Sequence, residues 1–276
     1  MNSLVLAAEG GGFHVPPLEE LFEWPAFWWS DGWRLGPLSM EFNRTAALML
    51  LSVVIIAVLM IAAFRRPKLV PDKFQLIMES LVSFVRENIV LEVIGPAGLR
   101  FVPFLTTLFL FVWINNLYEV LPFINYPTTS RMALPAFLAF VVWTLFILVG
   151  MKEQGLLKYF KNVAIPSGVP APILVLVIPI EIVSTFIVRP LTLAVRLFAN
   201  MMAGHIILAI IFIAANAFLF DFHDFSFNLK GSPIGVVALA MAPALVGFEL
   251  LVGVLQAYIF TILAAVYIGG SLHPEH

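Results

Sequence analysis

From Ala171 to Phe220 the chain is apolar almost throughout, interrupted chiefly by Glu181, Arg189, Pro190, Arg196, Asn200 and His205. As one helix rising about 1.5 Å per residue, this stretch would exceed roughly 70 Å, more than twice a hydrocarbon core of about 30 Å. Either it crosses a membrane twice or it is one strongly tilted helix. Pro190 permits a kink without proving a break, because neighbours can satisfy the carbonyl that a proline frees. A second long apolar run, residues 233–269, follows a polar loop with Asp221, Asp224 and Lys230.

Such runs have no place in a water-soluble core. Of the 276 residues, 61% are hydrophobic and 12% charged, against about 25% charged in an ordinary soluble domain. The class is therefore an integral membrane protein. Barrel strands would alternate polar and apolar over about ten residues, so the runs predict helices. The net charge of −2 gives no argument for a nucleic-acid partner, and zero cysteines exclude disulfides, thiolate metal sites and cysteine nucleophiles. Met1 to Gly12 has no basic residue ahead of its short apolar run, so a cleavable signal peptide is not expected.

Residues 1–43 read as an outer segment whose Trp24, Trp28, Trp29 and Trp33 suit a membrane interface. Residues 44–276 read as a single polytopic membrane domain. Its first span, 44–64, ends at Arg65-Arg66-Pro67-Lys68. In residues 71–95, Phe74, Ile77, Met78, Leu81, Phe84 and Val85 recur at helical spacing beside Lys73, Glu79, Arg86 and Glu87. That pattern predicts an amphipathic helix on the membrane surface or against a partner. A helical hairpin is expected over 102–151, then a basic loop with Lys152, Lys158 and Lys161, then long tilted helices over 171–220 and 233–269. On this arrangement most basic residues, from Arg65 to Lys161, gather on one side, leaving Arg34, Arg44, Arg131 and Lys230 on the other. The positive-inside rule then places the amino terminus outside and the carboxyl terminus in the cytoplasm.

Arg196 is the residue that most needs explaining. A permanent cation at membrane depth costs about 2.5–3.5 kcal/mol on insertion scales. Thr192, Arg196 and Asn200 follow at i, i+4 and share a helix face, near the small residues Ala203 and Gly204. Glu249 and Gln256 share a face of the last run, with Gly253 between them. If the two runs pack antiparallel, one register brings Gln256 to the depth of Arg196 and Glu249 to that of His205, about two turns away. An imidazole and a carboxyl group there can accept and release protons. Arg196 cannot relay a proton, but it favours the ionised form of a carboxylate brought against it. No acidic residue stands clearly opposite it, so that carboxylate is expected on another subunit.

The sequence Arg196-Leu-Phe-Ala-Asn200-Met-Met-Ala-Gly-His205, with Glu249 and Gln256-Ala-Tyr-Ile-Phe260 downstream, resembles subunit a of the F-type ATP synthase membrane sector. The resemblance extends to the hairpin bearing Asn115-Asn116-Leu-Tyr-Glu119-Val-Leu-Pro122 and to the two long closing helices. It implies an all-α integral membrane fold and a non-catalytic, proton-conducting stator subunit in a bacterial plasma membrane. The implied partners are a ring of c subunits, peripheral-stalk b subunits, the F1 sector and membrane lipids. It further implies that Arg196 faces the ring, that Glu119, Glu249, His205 and Asn200 line an outer half-channel with Gln256 nearby, and that Glu181 serves an inner one. Glu181 stands nine residues before Pro190, one more than the resemblance implies. No cofactor is expected, and no GxxxxGK[ST] phosphate loop is present. Two other classes fit intramembrane Arg, His and Glu residues: a secondary proton-coupled transporter, and a structural subunit of a respiratory complex. The former commonly shows repeated halves, and no internal repeat is apparent by inspection.

Overall fold

The computed structural model describes residues 28–35, 38–42, 44–66, 68, 70–121, 124, 126, 128–165, 171–218, 220–221, 226–227 and 233–272. The stretch before Trp28, with Trp24, and the loop residues Asp224 and Lys230 lie outside these. In chain order come strands β1 (Trp28–Leu35) and β2 (Leu38–Phe42), then helices α1 (Arg44–Phe64), α2 (Lys73–Val85), α3 (Val102–Val120), α4 (Ala133–Gln154), α5 (Leu156–Ala164), α6 (Ala171–Val183) and α7 (Arg189–Phe218). Strands β3 (Phe220–Asp221) and β4 (Ser226–Phe227) precede the last helix, α8 (Pro233–Leu272).

Five helical stretches among the described residues are long and apolar enough to cross a membrane, the last two of 43 and 40 residues. Helices are the expected solution, since without water each backbone amide must find its carbonyl within the same segment. The chain is an all-α integral membrane protein. The strands form two small antiparallel ribbons outside these spans, pairing Leu35 with Leu38 and Asp221 with Ser226.

The question posed by the 171–220 run is answered by one unbroken helix. Its α6 and α7 parts join through a wider, π-helical turn at Ser184–Val188, immediately before Arg189-Pro190. Proline offers no N–H and its ring presses on the preceding turn, and a π-turn gives that turn room. The Thr192 hydroxyl donates to the carbonyls of Val188 (2.8 Å) and Arg189 (3.1 Å), adding a partner to this loosened stretch. A second π-helical turn, Arg86–Leu91, continues α2.

Two glycines end elements with φ of +82°, Gly95 before the 3-10 turn Pro96–Phe101 and Gly155 between α4 and α5. Side chains with a β-carbon avoid that region, so both sites suit glycine. Helix α5 corrects the reading of 152–161 as a basic loop. Its Leu156, Tyr159, Phe160 and Val163 recur at helical spacing, and Tyr159 is buried against Gly150 of α4, where an added β-carbon would run into the phenol ring.

The Cα trace falls into two compact units, Met1–Leu51 with Asn115–Ser130 and Asn200–Gly253, and Ser52–Ile114 with Arg131–Ala199 and Val254–His276. In the first, Thr45 and Tyr126 share a buried hydroxyl–hydroxyl hydrogen bond of 2.7 Å, and the Arg44 guanidinium donates to the Ile124 carbonyl (2.6 Å). In the second, Ile56, Ala63, Met78 and Leu110 join α1, α2 and α3 through a common core. Gln154 donates to the Ser271 carbonyl (2.8 Å) and accepts from Asn162 (2.9 Å), which ties α4 and α5 to the end of α8. Burial pushes the Tyr159 phenol above its usual range, opposed in part by a hydrogen bond with Ser271 and by the nearby Arg189 charge.

Candidate functional site

In the first unit, three ionisable side chains from three helices meet in an apolar setting. Glu119, in the last turn of α3, is 1% exposed, and among the described residues neither of its carboxyl oxygens has a hydrogen-bond partner. The Nδ1 atom of His205 on α7 stands 3.6 Å from Glu119 Oε1, within ion-pair range but beyond a direct hydrogen bond. Glu249 on α8 is 5% exposed and in electrostatic contact with Glu119. Its carboxyl group lies against Gly204, so that a β-carbon at that position would collide with it.

The register read from the sequence set Glu249 beside His205. The structure puts the Glu249 carboxyl group against Gly204, the neighbour of His205, and brings Glu119 within ion-pair range of the imidazole. Glu119 is thus a buried member of a three-residue cluster at the end of α3. Among the described residues no group of three or more His, Asp or Glu side chains has the geometry to hold a metal ion.

An amide and hydroxyl network holds the Glu119 end of α3. Asn116 donates to the Gly253 carbonyl (3.1 Å) and accepts from Thr129 (3.4 Å), while Thr128 donates to the Asn115 side chain (2.9 Å). All four side chains are buried. A β-carbon at Gly253 would approach that of Asn116 to 3.3 Å, so glycine lets the two helices come this close. Sequence reasoning gave Asn115, Thr128 and Thr129 no role. The available signal was a pair of amides inside an apolar span, followed by two threonines in the turn.

The second unit holds Arg196, Gln256 and Glu181. On α7 the side chains of Leu193, Ala194 and Leu197 are buried, whereas Thr192, Val195, Arg196 and Ala199 are exposed. Arg196 therefore points away from the chain's own core. It forms no ion pair or side-chain hydrogen bond among the described residues, which removes an internal pairing with Glu181 as the reason for its presence. Gln256 is 4% exposed, its Nε2 has no acceptor among the described residues, and no hydrogen bond there joins its amide to Arg196. Glu181 is half-buried on α6, and Asn200, in the first unit, is half-buried on α7. Arg189 sits over the Tyr267 ring, 5.6 Å from its centroid.

Comparison with known proteins identifies the family. The family model for the ATP synthase A chain matches residues 46–269. The chain is 44% identical to ATP synthase subunit a of Parafrankia sp. (strain EAN1pec), over 97% of this chain and 87% of that protein. It is 41% identical to ATP synthase subunit a of Frankia alni, over 99% of this chain and 90% of the relative. ATP synthase subunit a of Pseudarthrobacter chlorophenolicus is also 41% identical, over 100% and 99% of the two chains. The matched span takes in the outward-facing arginine, the three-helix carboxyl–imidazole cluster and the amide network, and the chain that carries them belongs to the ATP synthase A chain family.

Proposed function

We propose that this chain is the proton-conducting stator subunit of an F-type ATP synthase, forming two offset half-channels against a rotating ring of c subunits. The observation that carries the reading is Arg196, a cation on an apolar helix, exposed and without an internal partner among the described residues. Its desolvation cost calls for a carboxylate from outside the chain. A ring of subunits, each with one membrane carboxylate, supplies such groups in succession.

Protons enter from outside through Glu119, Glu249, His205 and Asn200 and load a ring carboxylate. Rotation carries that group round to Arg196, where the guanidinium favours its ionised form. The proton leaves toward the cytoplasm past Glu181. Because Arg196 keeps its own proton, it blocks a direct path between the two half-channels. Gln256 orients groups near Arg196 without trapping a proton. The chain performs no bond chemistry itself: the F1 sector converts torque to ATP, and peripheral-stalk b subunits brace the stator at the α2 helix. The amino terminus lies outside the bacterial plasma membrane and the carboxyl terminus in the cytoplasm.

The test is proton flux in liposomes containing the purified complex, driven by ATP or by a membrane potential, with native chain and with Arg196→Ala at verified equal assembly. Loss of coupled pumping from an intact complex is expected. Unchanged pumping would sink the assignment and leave Arg196 a structural charge.

A further inference from the structure

Helix α1 uses only one side to join its neighbours. Ile56 and Ala63 are buried in the core with Met78 and Leu110, while Val58 and Ile61 remain 58% and 59% exposed. The open side ends in a groove of about 470 Å³ lined by Val58, Ile61, Ala62, Arg65 and Arg66. Helical geometry alone would not turn Arg65 and Arg66 to the same side, since adjacent positions lie about 100° apart. Here α1 ends at Phe64, the Arg65 amide closes the final turn on the Ile61 carbonyl (2.9 Å), and the backbone bends at both arginines.

Both guanidinium groups are exposed and neither has an ion pair among the described residues. Lys68, two residues on, is already neutralised by Asp72 at 2.7 Å. The groove thus combines an apolar wall, continuous with a membrane-crossing face, and two uncompensated cations at its mouth. Guanidinium binds phosphate oxygens in a planar two-pronged fashion and cannot lose its charge. Basic residues beside a span at the membrane surface recognise anionic headgroups.

We propose that this groove binds one anionic phospholipid, its headgroup phosphate held by Arg65 and Arg66 and the start of an acyl chain lying along Ile61 and Val58. The site is independent of the proton path and requires only that α1 cross the bilayer.

The experiment places a photoreactive diazirine side chain at Val58 in the assembled complex, reconstituted in vesicles of equimolar phosphatidylcholine and phosphatidylglycerol, with adducts identified by mass spectrometry. The ratio of phosphatidylglycerol to phosphatidylcholine adducts should be roughly ten to one, against the one to one of the bulk lipid. That excess should vanish in the Arg65→Gln/Arg66→Gln variant, persist in Lys68→Gln, and survive excess inorganic phosphate. Adducts that mirror the bulk ratio in the otherwise native chain overturn the proposal without recourse to a variant. So do adducts dominated by a protein, an excess that withstands the double substitution, or an excess that phosphate abolishes.

Discussion

The carboxyl group of Glu249 occupies the space that a side chain at Gly204 would need. Glycine at that point of α7 lets a carboxyl group reach across from α8, beside His205 and in contact with Glu119. Position 204 therefore governs where one of the three ionisable groups stands, although glycine itself has nothing to titrate.

Gly204→Ala should displace Glu249 from Glu119 while leaving every ionisable group present. Misplacing reacting groups by about 1 Å costs up to roughly a hundredfold in rate, so potential-driven proton flux should fall by about ten- to a hundredfold at equal assembly. Flux within twofold of native, measured by dye quenching in liposomes, would mean that the closeness of the three groups has no bearing on conduction.

The Asn116 contact with Gly253 makes a separate, structural prediction. Asn116→Ala removes the bonds to the Gly253 carbonyl and from the Thr129 hydroxyl, and hydrogen bonds between membrane helices contribute about 0.6 kcal/mol on average and up to about 1.7 kcal/mol. The free energy of unfolding in detergent should drop by an amount in that range, read as a lower unfolding midpoint. An unchanged midpoint would show that the bond contributes nothing measurable to the fold.

Arg196→Ala should separate stability from function. Breaking a buried ion pair costs about 3–5 kcal/mol, and Arg196 has no such pair among the described residues. Its removal should leave the unfolding midpoint of the isolated subunit nearly unchanged while abolishing coupled pumping in the complex. A loss of the size expected for a buried pair would place an internal carboxylate against it.

Alkali should act through Tyr159. Burial raises its phenol above the ordinary value, so the fold prefers the neutral form. The stability from that preference is complete below about pH 10 and is lost as pH climbs through the higher folded value. Plotted against pH, the difference in midpoint between native chain and Tyr159→Phe should therefore shift in favour of the phenylalanine variant above about pH 10. Parallel curves would show that Tyr159 does not ionise in that range.

The spans were readable because lipid leaves the backbone few options, so length and hydropathy alone locate α1, α3, α4 and the two long helices. The face shared by Arg196 and Asn200 was readable for a similar reason, since three-to-four-residue spacing is a local property. What escaped was either weakly periodic or distant in sequence. In α5, Lys158 and Lys161 masked a short apolar stripe that becomes visible once Tyr159 is seen against Gly150. The β1–β2 ribbon was hidden in a segment read for its tryptophans. That Glu119 joins His205 and Glu249 depends on how three helices converge, which no local spacing records. Gly204 was noted as small, but only the structure shows what its smallness admits.

The wide turn at Ser184–Val188 also bears on the rotational phase of its helix. A π-turn takes up one residue more than an α-turn, so side chains beyond it resume with a lag of about 100° relative to a regular helix of the same sequence. Glu181 stands before this dislocation and Arg196 after it. The extra residue of the wide turn is thus absorbed as winding rather than passed on as a changed bearing. Removing one residue from within the turn would tighten it to regular pitch and leave the angle between the carboxylate and the guanidinium nearly as it is. Removing one from the regular turns that follow would swing Arg196 about a quarter-revolution around the helix.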